Sequence, residues 1–201
     1  MTFAIDDAFL PATLSAKPMT DEEFLELCGE HPDLDFEMTA EGELIVMAPA
    51  QSDTGASNFE IAGALRNWAR RDRRGYGCDS STGFVLPNGA RRSPDASWTL
   101  KTRVRQLGSN GRKSFWHLCP DFVIEVKSES DWWNVLRAKM REYLTQGAQL
   151  GWLIDPETKS IEIYRPNGDV ETRAGIGSIE GEGPVAGFVL DFTYVWDPLA
   201  D

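Results

Sequence analysis

What the chain lacks narrows its chemistry first. No apolar run approaches the ~20 residues that a membrane-spanning helix needs. The first residues, "MTFAIDDAFLPATLSAKPMT", lack a basic region followed by an apolar segment, so no secretory leader is signalled and a cytoplasmic protein is expected. The three cysteines, Cys28, Cys78 and Cys119, are far apart and never form C-x-x-C, which points away from a disulfide framework and from a thiolate zinc site. Histidine is scarcer still, with only His31 and His117. "HLC" at 117–119 sets His117 and Cys119 on one side of an extended segment, but nothing around them resembles a nucleophile turn, which disfavours acyl transfer. No repeat or low-complexity tract interrupts the 201 residues, a length that suits one globular domain.

The formal net charge is −12, which argues at first against nucleic acid, because an acidic surface repels phosphate. Its distribution reverses that argument. Between Arg66 and Lys113 twelve basic residues face three acids, so this segment is +9 and the remainder −21. The basic residues fall in clusters, Arg70, Arg71, Arg73 and Arg74 in "RNWARRDRRG" and Arg91 and Arg92 in "ARRSPD". A solvated helix face explains such a run as readily as a DNA-facing one.

Along the chain, helical and strand patterns interleave. Thr20 followed by Glu23 marks a capping box ahead of Phe24, Leu25 and Leu27. "FEMTAEGELIVMAPA" reads as a hairpin around Glu41-Gly42. From Ser52 to about Arg73, Phe59, Ile61, Ala62, Leu65, Trp68 and Ala69 recur at spacings of three and four, which predicts a long helix stopped by Gly75. Two strands around a turn at Pro87-Asn88-Gly89 follow. The polar stretch 101–118 is expected as a surface loop, and 120–127 as a strand. "SDWWNVLRAKMREYLTQG" predicts a helix capped by Ser130 or Asp131 and stopped at Gly147, with an apolar stripe on Trp133, Leu136, Met140 and Leu144. "LGWLID", "SIEIYRP" and "GDVETR" are three further short strands. The expected class is α/β with a mixed sheet.

"CPDFVIEVKSES", residues 119–130, places charge in what reads as a buried strand. Alternation sets Phe122, Ile124 and Val126 on one face and Asp121, Val123, Glu125 and Lys127 on the other. An isolated Glu–Lys pair at a sheet rim would gain little, since desolvation offsets the attraction. Thirty residues earlier, "RRSPDASWTL" opens another short strand with Pro94-Asp95. If the two strands are neighbours, Asp95 and Glu125 converge on one hard cation that prefers oxygen ligands, with Lys127 beside it. A cation and an amine at one spot suit phosphodiester hydrolysis.

Asp95 after Pro94, with "EVK" at 125–127, matches the signature of the PD-(D/E)XK nuclease superfamily. The ordered series "MTDEEFLEL", "FEMTAEGELIVMAPA", "RSPDASW", "CPDFVIEVKSESD" and "AKMREYLTQGAQLGWLIDPETKSIEIYRP" resembles more specifically the restriction-endonuclease-like Uma family. The resemblance spans about 19–199, after an N-terminal extension of 1–18. It implies a restriction-endonuclease-like core, with a central mixed β-sheet flanked by α-helices and an N-terminal helix and β-hairpin. It also implies Mg2+-dependent cleavage of DNA, with Mn2+ as an alternative, often by a homodimer. Carried over by position, Asp95 and Glu125 are metal ligands, the Val126 carbonyl is a further one, and Lys127 is the catalytic lysine. Lys139, on the following helix, aligns with a lysine that many relatives use instead, and is kept as a supporting residue. Glu60 is a candidate metal ligand on the first long helix, although relatives commonly carry a histidine near Asn58 that this chain lacks. The rival reading is a DNA-binding or assembly module on a nuclease fold that does not cut. Paired carboxylates would also serve glycoside hydrolysis. Of the seven tryptophans, Trp116 and Trp132 are the candidates for contact with substrate or a second subunit.

Overall fold

Thr20 opens helix α1 (Asp21–Glu30) with a complete capping box: its hydroxyl accepts from the Glu23 N–H at 3.2 Å, and the Glu23 carboxylate accepts from the Thr20 N–H at 2.8 Å. The structure, a computed structural model, describes residues 10–17, 19–47 and 52–200. Phe24 and Leu27 of α1 are buried against the hairpin of β2 (Asp35–Met38) and β3 (Glu43–Met47), with Gly42 at the turn in the left-handed conformation, φ 88°. β1 (Ala12–Ser15) pairs antiparallel with β3, so the expected 1–18 extension contributes a strand to the sheet. Residues 1–9 and 18 of that extension lie outside the described residues. β5 (Phe84–Val85) and β6 (Arg91–Arg92), joined across the turn expected at 87–89, complete a five-stranded sheet in the order β1-β3-β2-β6-β5.

The central sheet has six strands in the order β11-β10-β9-β8-β7-β4. They are β4 (Gly75–Asp79), β7 (Ala96–Leu100), β8 (Phe122–Val126), β9 (Leu150–Asp155), β10 (Ser160–Tyr164) and β11 (Val170–Ala174). β8 and β9 run parallel and every other pairing is antiparallel, which makes the sheet mixed. β8 is buried along its whole length, as a central strand covered on both faces must be. On one face, Phe122, Ile124 and Val126 pack with Ile61, Leu65 and Trp68 of the long helix α2 (Ser52–Asp72). On the other, Val123 and Leu153 pack with Leu136, Met140 and Tyr143 of α5 (Trp133–Thr145). The chain ends in a small antiparallel pair, β12 (Ser178–Glu180) and β13 (Val189–Asp191), and α6 (Thr193–Trp196). These dock on α2, where the Ser57 hydroxyl donates to the Val195 carbonyl at 3.1 Å.

Three local expectations are corrected. α2 ends at Asp72, and its left-handed terminal residue is Arg73, φ 64°, rather than Gly75. Gly75 is needed for space instead, since a Cβ there would lie 2.2 Å from the Trp98 ring. The stretch 101–118 contains α3 (Lys101–Gln106) and α4 (Gly108–Gly111). Val104 is buried, and the partly buried Leu100 and Leu107 lie four residues before and three after it, a helical spacing hidden within a polar sequence. α5 begins at Trp133 without a side-chain cap, because the Asp131 carboxylate turns back to accept from the Ser128 N–H at 2.8 Å and hydroxyl at 2.7 Å.

Candidate active site

The β7–β8 register pairs Ala96 with Ile124, so one step further sets Asp95 opposite Glu125 at the end of the two strands. Two acidic groups 30 residues apart in sequence are thereby placed side by side by the pairing of their strands. Both line a cleft of about 380 Å³ together with Glu37, Asn58, Val126 and Lys139. One Asp95 oxygen accepts from the Val126 N–H at 2.7 Å and the other from Asn58 Nδ2 at 2.8 Å, so backbone and α2 both fix the carboxyl. Burial pushes the Asp95 pKa up to about 6, against the opposing pull of the Val126 N–H and Lys139.

Glu125 faces α5. Its carboxylate accepts from the Tyr143 hydroxyl at 2.9 Å and from the Lys139 ammonium at 3.0 Å. Lys139 and Tyr143 are four residues apart, one turn on one helix face, so α5 delivers both donors together. Burial raises the Glu125 pKa, Lys139 opposes the rise, and the neighbouring Asp95 and Glu37 add to it. For Lys139, burial favours the neutral amine, but Glu125 and Glu37 outweigh it and hold the group as ammonium.

The amine at the carboxylates is therefore the one from α5, and the expectation that favoured Lys127 is corrected on geometry. Lys127 follows the last residue of β8, and although its N–H still donates to the Ile154 carbonyl of β9 at 2.8 Å, its side chain turns elsewhere. Lys127 Nζ donates to the Ser128 carbonyl at 3.0 Å and lies 5.9 Å from the centre of the Trp133 ring. Glu60 is also displaced. It is exposed beside Phe59 and Arg66 in a separate depression between α2 and β4, and the residue that α2 sends to Asp95 is Asn58.

Arg91 and Arg92, expected on a DNA-facing surface, are buried. Arg91 donates to the Met19 carbonyl at 2.7 Å and to Asp21 at 3.0 Å; Arg92 donates to Glu142 at 2.7 Å and to Glu37 at 3.1 Å. They hold α1, the hairpin and α5 together. The other cluster, Arg70, Arg71, Arg73 and Arg74, is exposed, with Arg74 paired to Asp72 at 2.7 Å and also donating to the Pro184 carbonyl. Twelve residues separate Asn58 from Arg70 on α2, which puts the arginines about 18 Å along the helix from the cleft. His117 and Cys119 do not form a nucleophile pair: His117 contacts Asp21 at 2.6 Å, and Cys119 is buried, its Sγ directed at the Tyr143 carbonyl. Burial pushes that thiol up to about 12. Trp132 is 73% exposed at the start of α5, and Trp116 packs edge-on against Phe84 and Tyr76.

Sequence reasoning missed Glu37. In β2 it lies between Phe36 and Met38, both in the core beneath α1, so its carboxylate points the other way into the cleft. The signal was the one that betrayed Glu125, a carboxylate inside an apolar strand. No group of three or more His, Cys, Asp or Glu side chains among the described residues is arranged to hold a metal. The donor set on offer is instead Asp95, Glu125 and backbone oxygen, with room for water, and this suits a hard cation such as Mg2+. Asn58 adds support. Its Oδ1 is buried with no hydrogen-bond partner among the described residues, while its Nδ2 is held on Asp95, leaving an oxygen donor unused beside the carboxylate.

Comparison with known proteins agrees with this fold. A solved structure from Anabaena variabilis ATCC 29413, described as "a putative nuclease belonging to DUF820", superposes with a TM-score of 0.72 at 21% identity, covering 89% of this chain and 98% of the other. No curated protein matches the chain. The sequence profile of the Uma2 family, described as "Putative restriction endonuclease", matches residues 21–192. That span is most of the chain, and the protein belongs to the Uma2 family.

Proposed function

We propose that the protein is a divalent-metal-dependent endonuclease that hydrolyses DNA phosphodiester bonds. The observation that carries the reading is the convergence of Asp95, Glu125 and Lys139 at one end of the central sheet, inside a cleft. Asp95 and Glu125, with the Val126 carbonyl, would hold Mg2+ or Mn2+. When bound, that cation supplies Lewis acidity toward the phosphate and its attacking water. Lys139, rather than Lys127, carries the amine's role: its ammonium orients the attacking water or stabilises charge developing on a phosphate oxygen. Asn58 and the Val126 N–H keep Asp95 aimed at the cleft, and Tyr143 keeps Glu125 in place. The exposed Arg70 and Arg71 would meet phosphates away from the cut. Family membership supports a nuclease, and the coordination chemistry rests on the residues alone.

One observation favours the reading in which the fold binds without cutting. Glu125 is already engaged by Lys139 and Tyr143, so a cation must compete for it. Plasmid nicking decides between the two. Purified wild type with Mg2+ or Mn2+ should convert supercoiled DNA to open circles, and Asp95→Ala should not, while Glu125→Gln should bind DNA and leave it intact. Binding without nicking by wild type, at any divalent ion tried, would favour the inert module. Nicking by Asp95→Ala equal to wild type would mean that the activity lies elsewhere.

A further inference from the structure

Three donors converge on Glu37: Lys139 Nζ at 2.8 Å, Arg92 Nη1 at 3.1 Å and the Ser93 N–H at 2.8 Å. Only 3% of its side chain is exposed. The same Lys139 ammonium lies 3.0 Å from Glu125, so one buried amine is shared between two carboxylates from different sheets. Sharing has a consequence for the cation site. A lysine whose sole counter-ion was Glu125 would be left as an unpaired buried charge whenever a metal took that carboxylate, and such a charge strongly resists creation.

Resting on the metal-dependent reading above, we propose that Glu37 is a positioning residue for Lys139, a second and permanent seat for its ammonium. Glu125 can then pass from the amine to a cation while the amine stays charged at the cleft. Arg92 serves this arrangement by fixing the Glu37 carboxylate from the far side, with Glu142 as its other partner. A Glu37 that mattered only for packing would show no dependence on Lys139.

A double-mutant cycle on the full chain tests this, with Mn2+ affinity measured by calorimetry and folding checked by thermal melts. Glu37→Gln should weaken Mn2+ binding by about tenfold or more, because Lys139 then keeps its hold on Glu125. In a Lys139→Met background the same substitution should cost less than about threefold, since the competitor is gone. Equal losses in both backgrounds, or none in the wild-type background, would overturn the positioning role while leaving the metal site standing. Absence of Mn2+ binding by wild type, or unaltered binding by Asp95→Ala, would overturn the metal reading and this role with it. Should Glu37→Gln not fold, Glu37→Asp keeps the charge and withdraws the oxygens from Lys139. A smaller loss with the same background dependence is then expected, and a loss of equal size in both backgrounds refutes the role.

Discussion

Arg92→Met removes one cation from a buried set in which the Arg92 side chain is 7% exposed, Glu37 3% and Glu142 18%. The substitution keeps most of the apolar volume, so the main cost is electrostatic. Removing one partner of a buried ion pair typically costs ~3–5 kcal/mol, because the remaining charge has lost both water and its counter-ion. Lys139 still neutralises Glu37, and Glu142 retains some solvent, which places the expected loss near the lower end. For a chain of this length ~3 kcal/mol corresponds to a fall in Tm of roughly 6–12 °C. Urea unfolding followed by tryptophan fluorescence, alongside a thermal melt, measures it. Arg70→Ala, at an exposed position, is the control and should stay within about 0.5 kcal/mol of wild type. An Arg92→Met protein with wild-type stability but weakened DNA binding would refute the assignment and return Arg92 to the DNA-facing surface.

Gly75→Ala puts a Cβ 2.2 Å from the Trp98 ring and 2.6 Å from the Thr99 carbonyl oxygen, so it should destabilise by about 1–3 kcal/mol, read from the urea midpoint. Replacing Arg70, Arg71, Arg73 and Arg74 together by glutamine should weaken DNA binding and flatten its salt dependence, since each lost phosphate contact reduces counter-ion release. An unchanged salt slope would remove that end of α2 from the DNA path. Burial pushes the Glu162 carboxyl up, but hydrogen bonds from Arg137 and Tyr164 outweigh this and hold its pKa below the usual 4.5. A depressed folded-state pKa gives stability that is present above the unfolded value and lost as pH falls through the folded one. Wild type should therefore lose stability below about pH 4.5 more steeply than Glu162→Gln in acid melts, and parallel curves would sink that reading.

Much of the fold was legible because the elements that define it have strong local signals. The Thr20–Glu23 box, the spacing of Ile61, Leu65 and Trp68, and the alternation along Phe122–Val126 each have one physical solution, and the structure adopts it. Helix α3 was not legible, because its polar face dominates the composition and only Leu100, Val104 and Leu107 betray it. The site was half legible. Asp95 and Glu125 could be brought together by assuming that their strands pair, which they do. Which amine joins them depends on which way the Lys127 side chain turns after β8 and how α5 is rotated, and neither is local information; hence Lys139 and not Lys127. Arg91 and Arg92 misled for a related reason. Composition counts charges without showing their partners, and the carboxylates that neutralise them lie 50 to 70 residues away.

The central claim is that Asp95 and Glu125 share one divalent cation. Anomalous diffraction from crystals soaked in Mn2+ tests it most directly. A single peak bonded to an oxygen of each carboxylate, with Lys139 Nζ drawn toward Glu37, is the predicted result. A map with no peak in the cleft, or with Mn2+ bound only elsewhere on the acidic surface, would contradict it.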